Sequence, residues 1–265
     1  MGAFVASKRE AILKHWRGEE AMTPPTSWKI GLSVADFDAQ GAGFTEPTDA
    51  AYAKQAVTWG AAASRAVRNV GALVWAMATE DWGPVYGYGL YDQSDVMWAC
   101  HRFSAIGSGI LRNQRARFLD GGVAIGFSSD TSYYWTTATC HRMLEFLCRG
   151  GAYALPAGNW LSLSSTSPTP AGVTDGFTEI SGNGYARVEI TDAFAAMTVL
   201  AQRTSDTLVS FPQATGDGGL GNVLGIGIHD AASGGNLLAA RGCNLLVPDL
   251  ATLQIAAGSL GEVLL

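Results

Sequence analysis

A reaction centre would show first in the spacing of histidine, cysteine and carboxylate side chains. The four histidines, His15, His101, His141 and His229, form no His-x-His or His-Glu-x-x-His pattern. Cys100, Cys140, Cys148 and Cys243 include no Cys-x-x-Cys pair, so they read as small buried apolar side chains in a reducing compartment. Gly216-Asp217-Gly218-Gly219-Leu220-Gly221 lacks the Lys-Ser/Thr that a phosphate loop needs, and Gly107-Ser108-Gly109 lacks nucleophile-elbow spacing. Asp36, Asp38 and Asp49 near Glu46, and Asp175 near Glu179, could offer oxygens to calcium. No Asp-x-Asp-x-Asp-Gly loop accompanies them, and turn capping explains these acids better. His229-Asp230 reads as a structural pair whose Asp caps the turn that follows. The expectation is a chain with no catalytic residue, cofactor or metal, and not an enzyme. A polysaccharide hydrolase would need two carboxylates facing one cleft, with Asp81 and Asp217 the pair to replace in a turnover assay.

Aromatic residues carry more signal. Trp75, Trp82, Tyr86, Tyr88, Tyr91 and Trp98 form a dense group, and Tyr133-Tyr134-Trp135 falls at mid-chain. Such rings fill cores and subunit interfaces, and exposed ones stack on sugars. Trp82, Tyr86, Tyr88, Tyr133, Tyr134 and Trp135 are therefore the candidate interface residues.

Composition narrows the class. The 265 residues suffice for one large domain or two ordinary ones. Charged residues are 15% of the chain, against roughly 25% in an average soluble protein. That excludes a disordered chain and a coiled coil. The net charge of -6 argues against a nucleic-acid partner. Low charge with abundant aromatics suits burial against other subunits. The first residues lack the apolar core of a signal peptide, and no run of apolar residues is long enough for membrane insertion.

The elements that must position these residues come in pairs. Phe44–Thr58 reappears at Phe177–Thr191, 133 residues later, with six of fifteen positions identical. Trp28 is answered by Trp160, Gly87–Asp92 by Gly225–Asp230, and Arg117–Gly121 by Gln254–Gly258. The chain reads as two copies of one unit, residues 1–132 and 133–265. Each copy opens with a short helix: Ser7 and Glu10 have capping-box spacing in the first, and Thr139 precedes Met143, Leu144, Phe146 and Leu147 in the second. Gly18 and Gly150 stop these helices. Alternating stretches at Ser27–Ser33, Asn159–Ser164 and Tyr185–Ile190 read as half-buried strands. Gly225–Asp230 pairs with Asn236–Ala240 as a hairpin, and glycines inside strands suggest close backbone approach or a bulge. Ala61–Ala78 fits either helix or strand. The fold class is all-β: two tandem antiparallel β-sandwich-like units, each with a short N-terminal helix.

The box Phe177-Thr178-Glu179…Ser181-Gly182-Asn183-Gly184-Tyr185-Ala186-Arg187, with Phe211–Asp217 and Gly227–Leu238, resembles a family of tailed-bacteriophage virion proteins called tail fibre proteins. Phe44-Thr45-Glu46, Tyr52-Ala53-Lys54 and Tyr91-Asp92 are a divergent version of it. The resemblance implies a structural virion component, assembled in the host cytoplasm, whose partners are itself and other phage virion proteins. It leaves the tail, collar, neck and head vertex open as locations. The alternative is a module that binds a host receptor or surface glycan.

Overall fold

The computed structural model describes residues 3–105, 109–127, 134–169, 176–191, 193, 202–216, 218–257, 259 and 261–263. Its first half runs β1 (Ala3–Phe4), α1 (Ala6–Arg17), β2 (Trp28–Ser33), β3 (Gln55–Val57), β4 (Ala66–Arg68), β5 (Leu73–Val74), β6 (Gly87–Asp92), β7 (Met97–Arg102), β8 (Arg117–Phe118) and β9 (Ala124–Gly126). The second half runs β10 (Tyr134–Trp135), α2 (Thr137–Arg149), β11 (Trp160–Ser164), β12 (Val188–Glu189), β13 (Gln202–Thr204), β14 (Val209–Ser210), β15 (Gly221–His229), β16 (Leu237–Val247), β17 (Gln254–Ile255) and β18 (Gly261–Val263). The fold is all-β. Ala61–Ala78 resolves into the strands β4 and β5, with no helix.

The same topology occurs twice. One five-stranded sheet has the order β1-β7-β6-β2-β3, the other β10-β16-β15-β11-β12. Two-stranded ribbons β4-β9 and β5-β8 in the first half answer β13-β18 and β14-β17 in the second. Every pairing is antiparallel. Even the irregularities repeat: the β6-β7 hairpin shifts register between Leu90 and Tyr91, the β15-β16 hairpin between Ile228 and His229. Asp92 closes the first hairpin by accepting the Ser94 and Val96 N–H groups, and Asp230 closes the second by accepting from Asn236. The capping role read for Asp230 is what the geometry shows.

One expected match slips by a residue. Leu32 N–H donates to the Tyr52 hydroxyl and Leu163 N–H to that of Tyr185, while the Ser33 and Ser164 hydroxyls donate to the Thr45 and Thr178 carbonyls. These bonds align Trp28 with Asn159 and Lys29 with Trp160. The burial patterns agree: Trp28 and Asn159 are buried, whereas Lys29 and Trp160 are half-buried. Matching the two tryptophans by identity would turn every later side chain to the wrong face, because the strand period is two.

The helices start elsewhere than Ser7 and Thr139. β1 holds the chain on β7 as far as Phe4, so Val5 becomes the N-cap, and the Gln40 side chain accepts the Ala6 N–H at 2.6 Å. Thr136 caps α2, its hydroxyl accepting Thr139 N–H at 3.2 Å. Gly18 and Gly150 end the helices in left-handed conformation, φ 79° and 70°.

Each helix also reaches the opposite half. Trp16 of α1 stacks on Trp135, and His15 stacks on Phe146 of α2 at 4.6 Å. From α2, the Glu145 carboxylate accepts Ala62 N–H, and His141 Nε2 accepts Arg65 N–H. Fully buried Ile12, Leu13, Met143, Leu144 and Leu147 therefore join the two sheets' Ile30, Leu32, Leu161 and Leu163 in one core. Burying each such side chain contributes about 1.5–3 kcal/mol.

Candidate functional site

The Thr-Glu…Tyr-x-Arg box makes a tie beside β12, the edge strand of the second five-stranded sheet. Tyr185 donates to Glu179 Oε1 at 2.9 Å, and Arg187 grips the same carboxylate through Nε (2.7 Å) and Nη2 (2.5 Å). Arg187 Nη1 also donates to the Ala231 and Gly234 carbonyls of the hairpin turn. Burial pushes Glu179 up, but the bonds from Arg187 and Tyr185 outweigh it and hold the carboxyl below its usual range. The first half repeats the tie with Glu46, Tyr52 and Lys54, whose Nζ lies 2.9 Å from Glu46 Oε2 and 4.5 Å over the Tyr91 ring.

The turn inside the box is built differently in each half. Gly182, Asn183 and Gly184 all have positive φ (80°, 50° and 78°), and Asn183 Nδ2 donates to the Gly219 carbonyl. In the first half Asp49 stands where Gly182 does, since Tyr52 N–H meets the Asp49 carbonyl as Tyr185 N–H meets that of Gly182. The Asp49 carboxylate accepts from the Thr79 hydroxyl and N–H, the Ala51 N–H and Trp82 Nε1. The Thr79 and Ala51 bonds hold it far below the ordinary carboxylate range.

A serine–histidine pair stands in the second sheet. Ser162 Oγ lies 2.9 Å from His229 Nδ1 and donates to the Gly227 carbonyl at 3.1 Å. A serine proton already given to a carbonyl leaves the ring Nδ1 to act as donor to Oγ. Ser162 is fully buried, so no substrate atom can approach it. Burial, then the Arg187 charge, lowers the His229 pKa to about 4. In the first half Gly31 and Tyr91 occupy these places, and a Cβ on Gly31 would meet the Glu46 carboxylate and the Tyr91 ring. The pair is therefore a packing alternative: small residue with large ring, or larger residue with small ring.

The other candidate acids stand apart. Asp36 pairs with Arg102 at 2.8 Å, and Asp38 accepts the Gln40 and Ala42 N–H groups of its own loop. Asp81 accepts Arg112 N–H. Asp175 and Asp217 lie outside the described residues. Among the described residues, no group of three or more His, Cys, Asp or Glu is placed to hold a metal ion. Cys100, Cys140 and Cys148 are buried, Cys243 is half-buried, and all four are free thiols.

The six aromatic candidates separate. Trp82 is buried on Asp49 and edge-on to Tyr52. Tyr88 is buried against Phe118 and His101, and burial raises its hydroxyl to about 12. Trp135 is buried between Trp16 and Phe127. Tyr86 is half-buried, Tyr134 belongs to β10, and Tyr133 lies outside the described residues.

Sequence reasoning passed over a surface whose outward residues differ between the halves. Beyond β5-β8, Trp75 N–H meets the Ala116 carbonyl, Ala78 N–H meets Gln114, and Asn113 N–H meets Ala78. Beyond β14-β17, Phe211 N–H meets Leu253, Ala214 N–H meets Ala251, and Leu250 N–H meets Ala214. Asn113 and Leu250 thus hold one position, both left-handed (φ 65° and 56°). The outward positions of the first ribbon carry Arg112, Arg115 and Arg117; the second carries Asp249, Thr252 and Gln254. Each ribbon borders a cleft, about 320 Å³ in the first half and 430 Å³ in the second. The first is walled by Leu32, Trp75, Val85, Phe103 and Phe118, the second by Ile226, Leu245, Leu253 and Ile255.

The family model described as Podophage GP4 fiber I protein gp80 matches residues 3–100 and again 134–246. No curated protein matches the chain. No helix among the described residues is long and apolar enough to cross a membrane.

Proposed function

Because the chain belongs to the family of podophage GP4 fiber I protein gp80, we propose that it is a building block of the tail-fibre region of a tailed-phage particle, assembled in the host cytoplasm. It works by docking on copies of itself and on other virion proteins, with no reaction centre. The observation that carries this reading is the double match, which falls on the two halves that repeat one strand order. The division runs at residues 132 and 133, so the chain is a fused pair of units. A fused pair presents two related faces, suited to a closed ring of about three or six chains around a tail axis. Half-buried Tyr86 keeps ring surface for such a contact.

Mass spectrometry of gradient-purified particles tests the reading. It expects the chain in several copies per particle. Its absence from infectious particles, or substrate turnover by the purified chain, would overturn it.

A further inference from the structure

The two equivalent ribbons carry features that complement each other and that find no partner among the described residues. Arg112, Arg115 and Arg117 are exposed, and none of the three guanidinium groups has an ion pair or hydrogen bond among the described residues. Arg115 and Arg117 rim the aromatic cleft of the first half, where Phe118 packs edge-on against Trp75 and Tyr88, and Arg112 lies three residues before Arg115 on the same outward side. Three exposed cations within six residues, with no ion pair among the described residues, mark on a chain of net charge -6 a surface that attracts an anionic partner.

The second half offers a matching projection. β16 and the turn after it end in Leu246-Val247-Pro248-Asp249-Leu250, with Leu246 71% and Leu250 67% exposed. Leu250 is costly where it stands. It shows a large apolar side chain to water and holds a left-handed backbone, which β-carbon crowding disfavours in leucine. Its counterpart Asn113 is a residue type that tolerates this conformation. Asp249 is exposed, and among the described residues its carboxylate caps only the Leu250 N–H of its own turn.

We propose that the Leu246–Leu250 tip of one chain docks into the arginine-rimmed cleft of a second copy, Leu250 against the aromatic wall and Asp249 among Arg112, Arg115 and Arg117. This deepens the assembly reading above and rests on it. Cleft and tip sit at equivalent places on different halves, so the contact joins the second half of one chain to the first half of the next. Such head-to-tail contacts close into a ring when the rotation per chain permits. Burial of Leu250 in the contact offsets the exposure and backbone cost it carries in the single chain.

The test is the mass of the full-length chain by light scattering and sedimentation over a concentration series. The wild type is expected to associate, more weakly in high salt. The triple variant Arg112→Glu/Arg115→Glu/Arg117→Glu and the single variant Asp249→Arg are each expected to associate at least about tenfold more weakly. Mixing the two variants is expected to restore a one-to-one complex, since the reversed tip fits the reversed cleft. All four side chains are exposed, and unchanged circular dichroism checks that each variant is folded. A wild type that stays monomeric throughout overturns the proposal. A wild type that associates equally well in both variants also overturns it, while leaving assembly through another surface in place.

Discussion

Trp28 and Asn159 hold the same place in β2 and at the entry to β11, and each ties its own sheet to the helix of the opposite half. Trp28 Nε1 donates to the Leu147 carbonyl in the last turn of α2 at 3.0 Å. Asn159 Nδ2 donates to the Arg17 carbonyl at the end of α1, also at 3.0 Å. Chemically different side chains thus answer the same need, a donor for helix-end carbonyls that have no partner within the helix. The two halves are braced reciprocally.

Removing either donor leaves a buried carbonyl unsatisfied. Trp28→Phe and Asn159→Leu are each expected to lower unfolding stability by about 1–3 kcal/mol. Urea denaturation followed by circular dichroism reads the loss, with both halves unfolding in one transition because the core is shared.

The Ser162–His229 and Gly31–Tyr91 pairs predict a non-additive swap. His229→Tyr alone puts a larger ring against Ser162 and is expected to cost about 1–3 kcal/mol. Adding Ser162→Gly recreates the first-half pair and should recover most of that loss in thermal melts.

Acid sensitivity follows from the same histidine. His229 has a folded pKa of about 4, below its unfolded value of about 6.5, so between these pH values the unfolded chain binds more protons. Stability contributed by neutral His229 is complete above pH ~6.5 and is lost as pH falls toward 4, by about 3 kcal/mol. Burial lowers the pKa of His15 too, with the same sign. Melts from pH 7 to 4 should show the loss in the wild type and a smaller one in Ser162→Gly/His229→Tyr.

Leu250 and Asn113 make opposite predictions at one backbone position. Leu250→Asn should stabilise the chain by about 1 kcal/mol, and Asn113→Leu should destabilise it by a similar amount. Leu250→Asn should also weaken self-association, which separates folding from docking when melts and sedimentation are run on the same sample.

The Arg187 fork is not replaceable by a point charge. Arg187→Lys gives up the two-pronged grip on Glu179 and the bonds to Ala231 and Gly234, at an expected cost of about 1–2 kcal/mol. Lys54→Arg in the first half should be close to neutral.

Much of this fold could be read before the structure. The Phe-Thr-Glu…Tyr-Ala-Lys/Arg match marked the duplication because Glu, Tyr and cation form one hydrogen-bonded tie, which constrains all three residue types together. The hairpin at Gly225–Asp230 was legible because Asp at a turn and glycine at close approach have few substitutes. The strand at Trp28 was misaligned because position 28 needs only a buried donor, and Asn159 supplies one as Trp28 does. The helix starts were misplaced because Gln40, distant in sequence, takes the cap at Ala6, while Thr136 precedes the more obvious Thr139. Arg112, Arg115 and Arg117 carry no sequence motif. Their meaning emerges only when the fold puts them at positions equivalent to Asp249, Thr252 and Gln254 of the other half's ribbon.

Electron microscopy of the intact particle tests the central claim most directly. The account predicts repeated copies of the chain at the fibre-bearing end, each touching its neighbour or another virion protein, with the Leu246–Leu250 tip of one seated by Arg112, Arg115 and Arg117 of the next. Particles that lack the chain, or that carry it as single copies touching no other virion protein, would contradict it.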